Sequence, residues 1–369
     1  MKVYGTASIA DLLGDFVAYR SLRPADARLP GLAELAPGPP PRKGAPEYAR
    51  VAAAILRAAR QLTAPGVPLE RLVFIGDTRL SDGGAFTTLR DVTGWQSRCF
   101  IGRDDAAPPA VEQESDITFA NRWSALPAFA DRLDAEGFAV DERAAVVIDI
   151  DKTLLGGRGR NDKLIDRARL RALRDAVRDV VGDSFDEQRF AEIYRAIDQP
   201  RFHPLTADNQ DYVGYLCIIV AGSVLRLEHL EELLARPQPP GPERLLAEVA
   251  EACEAVGWPS AGVRVFHERF AAQAAAGDPT PFKAFRRREF AETAALMGRL
   301  GEGAAAEVAL AEELVLTGEV WAVAERWRAA GALLFGLSDK PDEAAVPTEQ
   351  DAVRGALPIH RIRTRIVGE

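Results

Sequence analysis

Asp149 and Asp151 stand two residues apart at the end of an apolar run, with Thr153 following: Ala145-Val-Val-Ile-Asp149-Ile-Asp151-Lys-Thr153-Leu-Leu-Gly156. Residues at i and i+2 share one face of a strand, and where the chain leaves the strand both acids can turn towards one pocket. Phosphoryl transfer through a covalent intermediate needs such a pair. One carboxylate attacks phosphorus, and the other protonates the leaving oxygen and then activates water. The same residues also suit a solvated acidic loop in which an Asp caps a turn. A second chemistry-bearing stretch is Leu333-Leu-Phe-Gly-Leu-Ser338-Asp-Lys340-Pro341-Asp-Glu-Ala. It sets a hydroxyl before the amides of a helix start, with Pro at the first position and acids in the first turn, an arrangement that cradles phosphate. Taken alone, Ser338 also reads as an ordinary helix N-cap.

The elements that must position these groups alternate along the chain. Leu72 to Ile75, Cys99 to Ile101, Ile117 to Phe119 and Ala145 to Ile148 read as buried strands, with Ala332 to Leu337 and Ile359 to Val367 returning to that character near the end. Helical periods lie between them at Glu47 to Leu62 and Trp123 to Leu133. Strands alternating with helices predict an α/β fold, a doubly wound Rossmann-like parallel sheet with its sites at the carboxyl ends of strands. From about residue 160 the texture turns to Ala, Arg, Glu and Leu. Helices are expected at Asp162 to Val181, Asp186 to Ile197, Asn209 to Leu234, Pro242 to Val256, Pro281 to Leu300 and Ala304 to Ala330. The expected organisation is therefore an α/β core in two pieces, 1–155 and 329–369, around an all-helical insert at 156–328.

Composition narrows the function. A chain of 369 residues suffices for one large domain or two ordinary ones. Its net charge of −9 repels phosphate backbones, which argues against a nucleic-acid partner. Cys99, Cys217 and Cys253 lie far apart with no CxxC pair, which favours a reducing compartment over a structural zinc site. Asp11 arrives before any long apolar run develops, unlike a signal peptide. The longest apolar stretch, Val213 to Leu225, is shorter than the roughly 18 residues of a bilayer span. These features predict a cytoplasmic protein with no membrane segment, and they leave its oligomeric state open.

The segment around Asp149 resembles the first motif of haloacid dehalogenase (HAD) superfamily phosphatases, hhhhDxDx(T/V). That family also carries a second strand ending in Ser or Thr, a lysine ahead of a helix, and an acidic pair after a further strand. The stretch through Ser338 is similar to the family's hhhhhSNKPxxxA. Pro41-Arg-Lys43-Gly-Ala-Pro46-Glu47-Tyr48-Ala49 resembles KPxPExFxxA, with Gly44 in place of the usual proline. Leu69-Glu-Arg-Leu-Val-Phe-Ile-Gly76-Asp77-Thr-Arg-Leu-Ser-Asp82 resembles the fourth motif in its GDxxxxD form. Read cyclically from Asp149, the order is that of the family, with the chain cut between the second and third motifs. The resemblance therefore implies a circularly permuted HAD core, and the helical insert falls where the family places a C1-type cap. Termini that lie close together and exposed loops permit such a rearrangement.

By this resemblance Asp149 is the nucleophile and Asp151 the general acid/base. Mg²⁺ would sit on the Asp149 carboxylate, the backbone carbonyl of Asp151 and Asp77, with Asp82 binding directly or through water. Lys43 would offset the repulsion between a carboxylate and an anionic phosphate. Lys340 is a rival for that role, and Pro46-Glu47 after Lys43 favours Lys43. Ser338 would hold a phosphoryl oxygen, Thr153 would order the loop, and Arg158, Arg160 and Lys340 complete the residues expected to face the substrate. Within the insert, His203, Asp208 to Tyr212 and Arg286 to Arg288 are candidate readers of the leaving group. Their simpler readings are a packed loop histidine, a helix cap and a solvated helix face. The expected function is a Mg²⁺-dependent phosphatase for a small phosphorylated metabolite; Asp151 disfavours dehalogenation, whose catalysts in this family lack that acid. Two alternatives stand beside it. One is a phosphoryl or acyl-phosphate transferase, since Thr153-Leu-Leu-Gly-Gly157 is similar to the TLWGG of HAD proteins that load glyceryl units for polyketide assembly. The other is a non-catalytic scaffold on the same fold.

Overall fold

The computed structural model describes all 369 residues, Met1–Glu369. Its strands are β1 (Lys2–Ala7), β2 (Val17–Ala18), β3 (Arg71–Gly76), β4 (Gln96–Gly102), β5 (Val111–Glu114), β6 (Ile117–Ala120), β7 (Ala144–Ile148), β8 (Leu316–Thr317), β9 (Leu333–Leu337) and β10 (Thr364–Gly368). Seven of them form one sheet in the order β2-β9-β7-β3-β4-β6-β5, parallel throughout except for the edge strand β5. Every residue of β7 and of β9 is buried. Such unbroken apolar runs suit strands covered on both faces, where no alternation with water-facing residues is needed.

The winding reverses at one place. From β3 the chain moves outward through β4 to β6, and from β7 it moves the other way to β9. A parallel sheet opens a crevice at such a reversal, outside the carboxyl ends of the two strands that flank it. Here those strands are β3 and β7. Ile75 lies opposite Ile148, and Ile148 opposite Gly336, so β3, β7 and β9 end at one level. Asp77, Asp149 and Ser338 follow directly.

Helices cover both faces of this sheet. On one face Leu72, Phe74, Ala145, Val147 and Phe335 pack with residues of helices Pro46–Thr63 and Ser81–Thr93. Helices Leu126–Ala135 and Gly318–Ala329 pack with each other and with β4 and β9. A smaller sheet, β1-β10-β8, has β10 antiparallel to β1 and parallel to β8. The first and last strands thus pair, from Lys2 opposite Gly368 to Ala7 opposite Thr364.

Several expected elements differ. The helix expected over Asn209 to Leu234 is two helices, Gln210–Ala221 and Leu227–Leu234, broken where Gly222 precedes Ser223 at a left-handed φ of 62°. The helix expected over Ala304 to Ala330 is also divided, because Leu316 and Thr317 leave helical geometry to pair with Ile366 and Val367 of β10. A further helix, Ala261–Ala275, was not anticipated.

The chain forms two compact units, Met1–Arg167 with Thr293–Glu369, and Ala168–Glu292. The second is narrower than the insert expected at 156–328, because the flanking residues belong to the first unit. Gly156 N donates to Val315 O, and Asn161 Nδ2 donates to Leu310 O. The second unit is all helical, built on Leu216, Ile218, Phe270 and Phe285 among others. No helix of the chain is long and apolar enough to cross a membrane.

Candidate active site

β3 delivers Asp77, and the loop after it returns Asp82 in the first turn of helix Ser81–Thr93. Asp82 Oδ2 accepts the backbone N–H groups of Asp77 and Thr78, each at 3.0 Å, and the Thr78 hydroxyl at 2.9 Å. A carboxylate is favoured there by the helix dipole and the unpaired amides. Glycine is required at position 76, since a Cβ would lie 2.4 Å from the Asp82 Cβ. The GDxxxxD pattern thus has a steric as well as a chemical basis.

β7 delivers Asp149, whose N–H donates to Ile75 O at 2.9 Å and extends the ladder past the last strand residue. The chain then turns tightly. Leu154 N donates to Asp149 O, Leu155 N to Ile150 O and Lys152 N to Leu155 O. Lys152 takes a left-handed φ of 67°, and its ammonium is anchored on both oxygens of Asp166 at 2.7 and 2.8 Å.

Lys43 settles between two acids. Its Nζ lies 2.5 Å from Asp149 Oδ1 and 2.6 Å from Asp82 Oδ1, almost wholly buried. Lys340, the rival cation, reaches Asp151 Oδ1 at 3.3 Å instead. Ser338 is buried at the end of β9, where its N–H donates to Ala18 O and its Oγ accepts from Lys340 N at 3.2 Å. Four stretches far apart in the chain therefore meet at the ends of three neighbouring strands.

The electrostatics are those of a site short of positive charge. Burial pushes Asp149 well above the usual carboxylate range; Lys43 pulls against it, and Asp82 and Asp77 push further up. Burial, reinforced by Asp82 and opposed by Arg158, raises Asp77 to about 7. Burial would also raise Asp82, but Lys43 and the hydrogen bonds it accepts hold it at about 2. Lys43 is itself held well above its ordinary value, because Asp149 and Asp82 outweigh the burial that opposes its charge.

Asp77, Asp82 and Asp149 are all buried, and each offers a ligand oxygen within 4.8 Å of the others. Three converging carboxylates are the hard donor set that a divalent cation such as Mg²⁺ takes. The residues present fit such an ion.

Other expected site residues fall into two groups. Arg158 belongs to the site, with its Nε on Asp77 Oδ2. Thr153 is wholly buried and its hydroxyl has no hydrogen-bond partner; its carbonyl accepts from Thr317 Oγ1 at 2.6 Å. Arg160, expected to face substrate, is instead a buried structural cation. Its Nε lies 2.7 Å from Asp104 Oδ2, and its other nitrogens meet Glu319 at 2.6 and 3.0 Å. The turn between the two arginines depends on Gly159, where φ is +76° and a Cβ would lie 1.6 Å from Asp104 O.

In the helical unit, Arg286 is likewise buried, 2.7 Å from both Asp211 Oδ2 and Glu289 Oε2, rather than on a solvated face. Asn209 caps helix Gln210–Ala221 through Asp211 N. His203 is exposed, 3.3 Å from Asp208 Oδ1, and Arg288 pairs with Asp179. A cavity of about 310 Å³ opens beside Asp77 in the first unit, lined by Arg79, Arg103, Phe119 and Asn121 among others. Arg79 stacks on Phe119, 3.6 Å from the ring centroid. Sequence does not single these out, since Arg79 fills a variable position of the GDxxxxD stretch and Arg103 lies outside every motif.

Comparison with family models, with curated proteins and with solved structures finds no match.

Proposed function

We propose that the protein is a Mg²⁺-dependent phosphatase for small phosphorylated metabolites, a circularly permuted relative of the HAD enzymes that its motifs resemble. One observation carries the reading. Asp149 projects from the crevice strand β7 into contact with a buried lysine, and Asp77, Asp82, Asp151, Ser338 and Lys340 gather around the same strand ends. A scaffold would gain nothing from three buried carboxylates that raise the ionisation cost of Asp77 and Asp149.

Asp149 attacks phosphorus, and the bond from phosphorus to the leaving oxygen breaks as an aspartyl-phosphate forms. Asp151 gives its proton to that oxygen; its side chain is 19% exposed, within reach of solvent. In the second half-reaction Asp151 takes a proton from the attacking water, the acyl-phosphate bond breaks, and inorganic phosphate leaves with Asp149 restored. Lys43 favours the ionised form of Asp149 against its burial and faces the incoming anion. Ser338 holds a phosphoryl oxygen, and Lys340 orients Asp151. Asp77, Asp149 and the Asp151 carbonyl, assisted by Asp82, would hold Mg²⁺, which when bound supplies positive charge against the phosphoryl group.

The test is phosphate release from a panel of small phosphomonoesters, with Mg²⁺ and with EDTA. The expected result is EDTA-sensitive release that disappears in Asp149→Asn. Undiminished release in that variant would overturn the assignment.

A further inference from the structure

The cavity beside Asp77 lies on the same rim as the strand-end site. Gly76 of β3 is opposite Ile101 of β4, and Gly102 of β4 is opposite Ala120 of β6, so the rim continues from β3 outward. Ile101, Gly102 and Ala120 line the cavity where their strands end. Asp77 belongs both to the carboxylate cluster and to the cavity wall. The volume of about 310 Å³ is that of a small-molecule site, open directly onto the candidate chemistry.

Its charges offer little to a second anion. Asp77, Asp105 and Glu112 stand in the lining against Arg79 and Arg103, three acids to two cations. Both arginines are already paired. Arg79 Nη1 lies 2.5 Å from Glu114 Oε1 and Nη2 lies 2.9 Å from Glu112 Oε2, while Arg103 Nε lies 3.3 Å from Asp105 Oδ2. A leaving group with its own carboxylate or phosphate would meet acids as well as neutralised cations.

What Arg79 has left is a face. One side of its guanidinium covers the Phe119 ring at 3.6 Å, and both terminal nitrogens are held by carboxylates, yet the side chain is still 50% exposed. The strands fix this stack, since Glu112 of β5 is directly opposite Phe119 of β6. A planar guanidinium clamped between a ring and two acids is a ready surface for another planar group.

We propose that this cavity receives the leaving group, and that the leaving group is an uncharged alcohol bearing a planar ring that stacks on Arg79. The inference rests on the phosphoryl-transfer reading above and names its substrate class, the phosphomonoesters of nucleosides or of aryl alcohols. It also moves recognition of the leaving group from the helical insert, where the resemblance places it, to the first unit.

The test measures kcat/KM with Mg²⁺ for adenosine 5′-monophosphate, ribose 5-phosphate, phenyl phosphate and 3-phosphoglycerate, in wild type, Arg79→Ala and Arg79→Lys. The first two substrates share phosphate and sugar and differ by the base. A stacked ring predicts that the better ring-bearing ester exceeds ribose 5-phosphate by roughly 10-fold or more. Which ring-bearing ester leads tells a nucleoside from an aryl group. Both variants should lose that preference and keep the wild-type kcat/KM for ribose 5-phosphate, because lysine retains the charge but not the plane. Equal turnover of ring-bearing and ringless esters by wild type, or a preference for 3-phosphoglycerate, would overturn the inference and leave the phosphatase reading intact. So would an equal loss on all substrates in the folded variants, which would assign Arg79 to the loop that holds Asp77. The wild-type comparison decides independently of how the variants fold. Wild-type protein that releases phosphate from none of the four would overturn both readings.

Discussion

Asp77→Asn should stabilise the metal-free protein, and by more at alkaline than at acid pH. Burial and the neighbouring Asp82 raise Asp77 from 3.8 to about 7. That rise of about 3 units corresponds to about 4 kcal/mol against the ionised folded form. Because the folded value lies above the unfolded one, the folded chain holds the extra proton. This contribution is intact below about pH 4 and is lost as pH rises through about 7. Asparagine has no proton to lose, so the variant escapes the penalty. The expected gain is about 4 kcal/mol at pH 8 and less than about 2 kcal/mol at pH 5. Urea denaturation of both proteins in EDTA at the two pH values reads this directly. Saturating Mg²⁺ should then stabilise wild type more than the variant, which has lost a ligand. Parallel pH slopes, a variant less stable than wild type in EDTA at pH 8, or equal stabilisation of both by Mg²⁺ would refute the account of the carboxylate cluster.

Three further expectations accompany the Arg79 test. Asp149→Asn should lower phosphate release by at least about 10³-fold with its circular dichroism unchanged, as expected when a nucleophile is removed. Arg160→Met should cost about 3–5 kcal/mol by stranding Asp104 and Glu319, while the KM of the folded fraction stays at the wild-type value; a raised KM with full stability would return Arg160 to the substrate. Gly159→Ala should abolish soluble expression or lower the melting temperature sharply, since the new Cβ meets Asp104 O in a backbone region hostile to side chains. Gly44→Ala, with nothing within 4 Å of its Cβ, is the control and should stay within about 0.5 kcal/mol of wild type.

Much of the core was legible because its strands are self-evident in sequence. The runs ending at Ile75 and Ile148 are short, apolar and stopped by Gly76-Asp77 and by Asp149, so strand, burial and exit point were read together. β8 and β2 were not legible, because two-residue strands have no periodicity and exist through their partners β10 and β9. The site divided in the same way. That Asp77, Asp82, Asp149 and Lys43 would meet was legible through the motifs they resemble, each set at the end of a strand or just ahead of a helix. The fate of the arginines could not. Arg158 and Arg160 differ only in what meets them, and Glu319 is 159 residues away from Arg160. Arg286 deceived for a related reason, since its triplet looks solvated until Asp211 is folded against it.

The pairing of β7 with β9 has a consequence for synthesis. β7 can add to β3 as soon as Ile148 has emerged from the ribosome, but its other edge waits until Leu333 to Leu337 have been made. At ordinary elongation rates that interval lasts roughly ten to forty seconds. Throughout it, a nascent chain carrying the sequence Ala-Ala-Val-Val-Ile presents an open strand edge, the kind of surface that recruits chaperones or neighbouring chains on the same message. Slow translation across the helical segment would lengthen that exposure, so the yield of folded protein should depend on codon choice there.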